Sequence, residues 1–196
     1  MLDFHQFLAE TLIPADVLQE RVKELGAQIS TDYRGSPKLL LVCILRGGVV
    51  FLTDLMRQID VPHVIDFMAV SSYGIGGRES NGAVRITMDL MVDIHNCDVL
   101  IVEDIIDSGH TIASVLELLS TRKPRSLRVC TLLDKRERRE VDVPVRYSGF
   151  VIPNKFVFGY GLDIDGYYRN LPFIGVVDLD KYNALVSAQR RTSIPA

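Results

Sequence analysis

The residues from Val99 to Thr111 have the types and spacing that a sugar-phosphate site requires. An apolar run ends in the acidic pair Glu103 and Asp104, and the turn Asp107-Ser108-Gly109-His110-Thr111 then opens a helical pattern. Carboxylates accept hydrogen bonds from vicinal hydroxyls, and a glycine-containing turn at a helix N-terminus points backbone N–H groups at an anion. The segment therefore predicts a site for a phosphorylated sugar.

The same turn also has a plainer interpretation. An Asp or Ser after a strand often serves only as the N-cap of the next helix. The complete pattern, with an apolar strand, a Glu-Asp pair and Asp-Ser-Gly-x-Thr in sequence, favours the anion site instead. The two adjacent acids also suit Mg²⁺, which prefers oxygen ligands.

At this point the sequence resembles a known family. The segment is similar to the phosphoribosyl diphosphate (PRPP) motif of type I phosphoribosyltransferases, and the resemblance to their hypoxanthine-guanine members extends from Leu39 to Val177. It implies that Glu103 and Asp104 hold the ribose hydroxyls and Mg²⁺, and that Asp107 faces N7 of the purine as the catalytic acid/base. The residues implied for binding the ribose and 5′-phosphate are Glu103, Asp104, Asp107, Ser108, Gly109, His110 and Thr111.

One position in this motif departs from the family pattern. Relatives commonly carry Lys or Arg where this chain has His110. Because backbone amides do most of the phosphate binding at such a turn, we expect weaker charge neutralisation and no loss of binding. A metal-ligand role for His110 is not favoured.

The resemblance implies a second set of residues for the leaving group and for closure of the site. Arg46 and Gly47, in a glycine turn after the first core strand, would bind pyrophosphate together with Arg169, and the Leu45–Arg46 peptide is expected to be cis. Without the resemblance, this turn would equally be an exposed arginine in a glycine turn. Ser72 and Tyr73 would begin a loop that closes over the reacting centre and excludes water.

A third set would recognise the purine. Lys135 is a donor that suits the O6 acceptor of a 6-oxopurine, Phe156 would stack on the base, and Val157 would read its edge through the backbone. Asp163 matches a carboxylate associated with Mg²⁺. The plainer alternatives are a core position for Phe156 and a solvated position for Lys135, within the charge run from Asp134 to Glu140. Solvation is the expectation for the neighbouring arginines Arg136, Arg138 and Arg139.

The elements that position these residues alternate between strand and helix. Apolar runs at Leu39–Leu45, Val64–Ser72, Val84–Val92, Asp98–Val102 and Leu127–Leu133 predict strands, with helices at Val49–Gln58 and Thr111–Thr121 and an N-terminal helix carrying Leu18, Val22, Leu25 and Ile29. Continuous apolar strands between helices are typical of a parallel sheet covered on both faces. We predict an α/β fold: a mostly parallel twisted sheet flanked by helices. It would form one domain over residues 1–196, with a small hood from the N-terminal segment and a C-terminal segment at about 150–170.

Bulk properties restrict the partners. A net charge of −3 over 196 residues argues against a protein that mainly binds nucleic acid, and no segment is apolar enough to span a membrane. Three well-separated cysteines in apolar surroundings, with no leader pattern at Met1, favour reduced buried thiols and a cytoplasmic location. The family resemblance adds a homodimer or homotetramer.

These expectations combine into one reaction. The chain would transfer the 5-phosphoribosyl group of PRPP to N9 of hypoxanthine or guanine, with Mg²⁺ as cofactor, and would release IMP or GMP and pyrophosphate. The alternatives are a PRPP-sensing regulatory protein of the same fold and a transferase acting on adenine, orotate or uracil.

Overall fold

The computed structural model describes residues 2–72 and 84–192, and their contacts divide the chain into two compact units. One unit is Gln19–Asn154, and the other combines Met1–Leu18 with Lys155–Ala196. The elements are β1 (Leu8–Ile13), α1 (Ala15–Asp32), β2 (Leu39–Leu45), α2 (Val49–Met56), β3 (His63–Ser72), β4 (Val84–Met88), β5 (Asp98–Ile106), α3 (His110–Ser120), β6 (Ser126–Asp134), β7 (Val145–Val151), β8 (Val157–Phe158), β9 (Ile174–Val177) and α4 (Leu179–Thr192). The single domain with a hood stays a prediction.

The larger unit is built on a six-stranded sheet of order β4-β3-β2-β5-β6-β7. All neighbours pair in parallel except β4, which runs antiparallel to β3 at one edge. Every residue from Leu39 to Ile44 is at most 5% exposed, as expected for a central strand with both faces covered. Helix α3 packs Ile112, Val115 and Leu119 into the same core as the strands. The predicted α/β class is confirmed.

Two predicted strand ends are wrong, each for a physical reason. Pairing between β5 and β6 continues to Ile106, so Glu103 lies opposite Thr131 inside the strand and does not follow it. Strand β4 stops at Met88 because the buried Asp66 carboxylate accepts the next backbone donors: its Oδ2 receives the N–H groups of residues 91 and 92 at 2.8 and 2.9 Å. A predicted strand to Val92 would leave that carboxylate without these donors.

The smaller unit has its own antiparallel sheet, of order β1-β9-β8. Phe7, Phe158, Ile164 and Val177 form its core. The sequence predicts a small hood here but not its strands, because β8 has only two residues and β1 pairs with β9 from the far end of the chain.

Two further expectations concern the described residues as a whole. Cys43, Cys97 and Cys130 are free and buried, as predicted. None of the helices in the described ranges is long and apolar enough to cross a membrane.

Candidate functional site

The predicted phosphate loop connects β5 to α3 in the larger unit. The N-cap of α3 is Gly109, with φ of 93° and no side-chain capping bond, so the plainer interpretation of Asp or Ser as the cap is wrong. A Cβ at Gly109 would lie 2.8 Å from the carbonyl oxygen of Val141, and the positive φ itself disfavours other residues. Residues between Glu103 and Ile112 line a cavity of about 140 Å³ at this loop.

Glu103, the first residue of the acidic pair, lines this cavity and has one unsatisfied oxygen. Glu103 Oε2 is buried and has no hydrogen-bond partner among the described residues. Burial, followed by the negative charge of Asp104, raises the pKa of Glu103 well above its ordinary value. A carboxylate in this environment is stabilised in its ionised form by a cation or by hydroxyl donors, which is what a ribose and a metal ion would supply.

The predicted pyrophosphate turn reaches the same acids. A Cβ at Gly47 would lie 1.7 Å from Asp104 Oδ2, so only glycine allows the backbone to approach this carboxylate. The Leu45–Arg46 peptide is cis, as the resemblance led us to expect. Arg46 itself is exposed.

Asp107 is held by two cations. Lys135 Nζ lies 3.3 Å from Asp107 Oδ2, and Arg138 Nε lies 3.2 Å from Oδ1. Lys135 is only 7% exposed, and its backbone N–H donates to the carbonyl of Ile106 at the end of β5. The solvated alternative for Lys135 is therefore wrong, and so is the expectation that Arg138 belongs only to solvent.

The rest of the charge run is organised by a buried acid. Asp134, the last residue of β6, is ion-paired with Arg139 and with Arg136. The Arg139 side chain is only 16% exposed, so its predicted solvation is also wrong. The Arg136 side chain is 67% exposed, as predicted. Asp134 directly after an apolar run, followed by several cations, is the sequence signal that indicates this pairing.

The segment after β6 also braces the phosphate loop. The carbonyl of Ser108 accepts the N–H groups of Glu140 and Val141 at 2.9 and 3.2 Å. His110 Nε2 lies 3.0 Å from Glu140 Oε2, and both side chains are partly exposed. Glu140 was not among the predicted site residues, because nothing in its local sequence indicates that it reaches the loop.

The smaller unit contains the other candidates. The Phe156 side chain is exposed and its carbonyl accepts the N–H of Val177, so it is not a core residue, while Val157 is buried. Asp163 Oδ1 and Arg169 Nη2 are 2.7 Å apart. The predicted metal-associated acid and the predicted pyrophosphate-binding arginine are thus ion-paired with each other.

Two predictions cannot be compared with the structure. Tyr73 and the rest of the predicted closing loop lie outside the described residues, and of Ser72 only its place at the end of β3 is described. Across residues 2–72 and 84–192, no three or more His, Cys, Asp or Glu side chains are grouped so as to hold a metal ion by themselves.

Comparisons with known proteins give one consistent result. The model of the phosphoribosyl transferase domain matches residues 15–165. A hypoxanthine phosphoribosyltransferase of Salmonella typhimurium is 52% identical over 171 residues, which is 87% of this chain and 96% of the relative. A hypoxanthine-guanine phosphoribosyltransferase of Staphylococcus aureus is 49% identical over 179 residues, 91% of this chain and 99% of the relative. A crystal structure of a hypoxanthine phosphoribosyltransferase from Staphylococcus aureus superposes with a TM-score of 0.87 at 49% identity, covering 91% of this chain and 96% of that one.

Proposed function

The chain belongs to the phosphoribosyl transferase family, and we propose that it acts in purine salvage by transferring the 5-phosphoribosyl group of PRPP to N9 of hypoxanthine or guanine. The products are IMP or GMP and pyrophosphate. The preference for a 6-oxopurine rests on one observation: Asp107, which lines the cavity at the phosphate loop, is paired with the buried Lys135.

This pair matches one edge of a 6-oxopurine. The base presents an acceptor at O6 and, next to it, a protonated N7, while the site offers the Lys135 ammonium next to the Asp107 carboxylate at 3.3 Å. Adenine carries a donor amine at position 6, and the Lys135 ammonium has no acceptor atom for a hydrogen bond from it. The arrangement supports hypoxanthine or guanine over adenine.

Asp107 then has the role of a general base. The N9 lone pair forms the bond to C1′, the bond from C1′ to pyrophosphate breaks with its electron pair on the leaving oxygen, and the N7 proton moves to Asp107. Because C1′ acquires oxocarbenium character, hydrogen bonds from the ribose hydroxyls to Glu103 and Asp104 place negative charge near the developing cation.

The unsatisfied oxygen of Glu103 also supports a Mg²⁺ requirement. Carboxylate oxygens are the ligands that Mg²⁺ prefers, and Glu103 and Asp104 would hold it together with PRPP and water. When bound, the ion neutralises charge on the diphosphate. Asp163 keeps its assignment to Mg²⁺ from the family resemblance.

The remaining roles also rest on the resemblance. Arg46, Gly47 and Arg169 would bind pyrophosphate, and an arginine fork suits phosphate oxygens. Phe156, a residue that is 49% exposed, would stack on the purine, and Val157 would contact it through its backbone. The remaining assignments of the same kind are Ser72 and Tyr73 in the closing loop, and Ser108, Gly109, His110 and Thr111 at the 5′-phosphate.

We further propose a homodimer or homotetramer in the cytoplasm. Val64 and Ile65 of β3, with Met88 and Met91 near β4, are exposed apolar residues at one edge of the larger sheet, and such residues are typical of a protein interface. Three free cysteines support a reducing compartment. The net charge of −3 gives no support to a nucleic-acid partner.

A rate assay of each base with PRPP and Mg²⁺ tests the function. We expect turnover of hypoxanthine or guanine and a kcat/KM for adenine lower by at least about tenfold, since a buried donor would face another donor. PRPP binding without turnover of any 6-oxopurine would instead favour the PRPP-sensing regulatory protein, which no comparison supports.

A further inference from the structure

A cleft that contains three arginines lies at the opposite end of β5 from the phosphate loop. Its lining includes the cations Arg34, Arg125 and Arg128, the acids Asp32 and Asp98, and Tyr33; we call it the arginine cleft, and its volume is about 340 Å³. Strand β5 has nine residues, so the two ends of the strand are separated by roughly 25–30 Å at about 3.3 Å per residue. We propose that the arginine cleft binds the phosphate group of a small molecule, separately from PRPP.

The acid nearest to the cleft is already satisfied. Asp98, at the first position of β5, accepts hydrogen bonds from Arg125 Nε at 3.0 Å, from Ser36 Oγ at 2.6 Å and from Ser126 Oγ at 2.7 Å. Its charge is balanced by Arg125. Asp98 therefore does not cancel the charge of the other two arginines.

The second acid at the cleft is also engaged. Asp32 Oδ2 accepts from Arg146 Nη2 and from the Tyr147 hydroxyl, both at 2.8 Å. Among the described residues, neither Arg34 nor Arg128 has an ion-pair partner. Counting Arg146, four arginines at the cleft face the two carboxylates of Asp32 and Asp98, an excess of two positive charges in a chain whose net charge is −3.

An unsatisfied donor points to the same ligand. The hydroxyl of Tyr33 is buried without a hydrogen-bond partner in the described part of the chain, although Tyr33 is only 5% exposed and lines the cleft. The Arg128 guanidinium lies 5.9 Å from the centre of the same ring. A buried hydroxyl without a partner is costly, and an oxyanion would accept from it.

The donor set selects phosphate among anions. Arginine presents a planar fork of N–H donors that matches phosphate oxygens, and Arg34 and Arg128 supply these donors, since the Ser36 and Ser126 hydroxyls already donate to Asp98. The volume lies within the range of small-molecule sites, so either inorganic phosphate or a nucleotide phosphate fits. Since the phosphate loop is at the far end of β5, the occupant would not compete with PRPP.

Equilibrium dialysis with radiolabelled inorganic phosphate at low ionic strength tests this site. We expect two phosphates per chain in the unsubstituted protein and one in Arg34→Ala/Arg128→Ala. The matched control Lys23→Ala/Arg57→Ala removes two positive charges elsewhere and should keep both. Ser108→Ala/Thr111→Ala should weaken phosphate binding at the phosphate loop and leave the arginine cleft unchanged.

A competition experiment with AMP distinguishes the two sources of phosphate. Displacement of phosphate from the arginine cleft by AMP would identify nucleotides as the ligand, and failure of AMP to displace it would identify free phosphate.

A single bound phosphate that is insensitive to the arginine substitutions would overturn the proposal. If the double variant does not fold, Arg34→Ala alone decides, because Arg34 is exposed and unpaired among the described residues. The Kd of phosphate at the arginine cleft should rise about tenfold, the effect of one charge-assisted hydrogen bond. Unchanged binding in Arg34→Ala would contradict the site. Transferase activity is measured separately, so failure of the proposed function would be distinguishable.

Discussion

Two aspartates at the two ends of β5 differ in how completely the protein satisfies them. Asp98, at the start of the strand, is 5% exposed and is bound by Arg125, Ser36 and Ser126. The side chain of Asp107, directly after the strand, is 45% exposed and its partners within the described ranges are two cations at 3.2 and 3.3 Å. An acid whose acceptor capacity is filled by its own chain contributes to stability, whereas an acid that is left accessible can exchange its partners for a ligand.

The largest predicted effect comes from the accessible acid. Asp107→Asn removes the proposed proton acceptor, and kcat should fall about 10²- to 10⁴-fold, the range typical for loss of a general base. The free energy of unfolding should change by less than about 1 kcal/mol, since the ion pairs of Asp107 are half-exposed. Initial rates and urea unfolding measure the two quantities.

The matched control is Asp98→Asn, which should leave kcat within about twofold, because Asp98 lies at the far end of the strand. A normal rate in Asp107→Asn, or a loss of rate in Asp98→Asn as large as in Asp107→Asn, would contradict the contrast between the two acids.

The satisfied acid should instead control stability. Asp98→Ala leaves Arg125 and two serine hydroxyls without their acceptor, and unfolding should become easier by about 2–4 kcal/mol. Urea unfolding at neutral pH measures the loss. An unchanged midpoint would show that these donors are satisfied equally well by water.

Lowering the pH should also destabilise the unsubstituted protein, because it protonates Asp98. Burial alone would raise the pKa of Asp98, but hydrogen bonds from Arg125, Ser36 and Ser126 outweigh it and lower the pKa from 3.8 to about 2. Because the folded-state value is the lower one, this contribution of about 2 kcal/mol is complete above pH 4 and is lost as the pH falls towards 2. The loss of stability over that interval should be smaller in Asp98→Asn.

The sequence predicts features that depend on neighbouring residues, but it does not predict the contrast between Asp98 and Asp107, which depends on residues far apart along the chain. The continuous apolar runs of β2 and β5 predict the parallel sheet, and the motif from Glu103 to Thr111 predicts a cavity at the end of β5. The partners of Asp98 and Asp107 are 27 to 62 residues away along the chain. No local pattern specifies such contacts, and this is also why the pairing of Arg138 with Asp107 and the contact of Glu140 with His110 were missed.

A smaller effect is expected from Arg138, which holds Oδ1 of Asp107 while Lys135 holds Oδ2. Arg138→Ala should lower kcat about two- to fivefold, as for loss of a half-exposed ion pair, and should leave the KM for PRPP unchanged. Arg138→Lys should restore part of the rate. Arg136→Ala is the control, since Arg136 pairs with Asp134 and has no contact with Asp107 among the described residues. Equal effects at the two arginines would remove any specific role for Arg138.

The smallest effect concerns the unusual residue of the phosphate loop. His110→Lys adds a permanent positive charge beside the proposed 5′-phosphate site, and the KM for PRPP should fall about two- to threefold at low salt. The gain should disappear at high ionic strength. A KM that does not depend on residue 110 would show that the backbone amides bind the phosphate without help from this side chain.

The central claim is tested most directly by following the phosphorus of PRPP during the reaction. ³¹P NMR of the protein with PRPP, Mg²⁺ and hypoxanthine should show one nucleoside 5′-monophosphate and one pyrophosphate for each PRPP consumed. The same mixture with Asp107→Asn should show PRPP persisting on that time scale. If PRPP remains intact with the unsubstituted protein, or decays without nucleotide, the assignment of the site to phosphoribosyl transfer onto a 6-oxopurine is wrong.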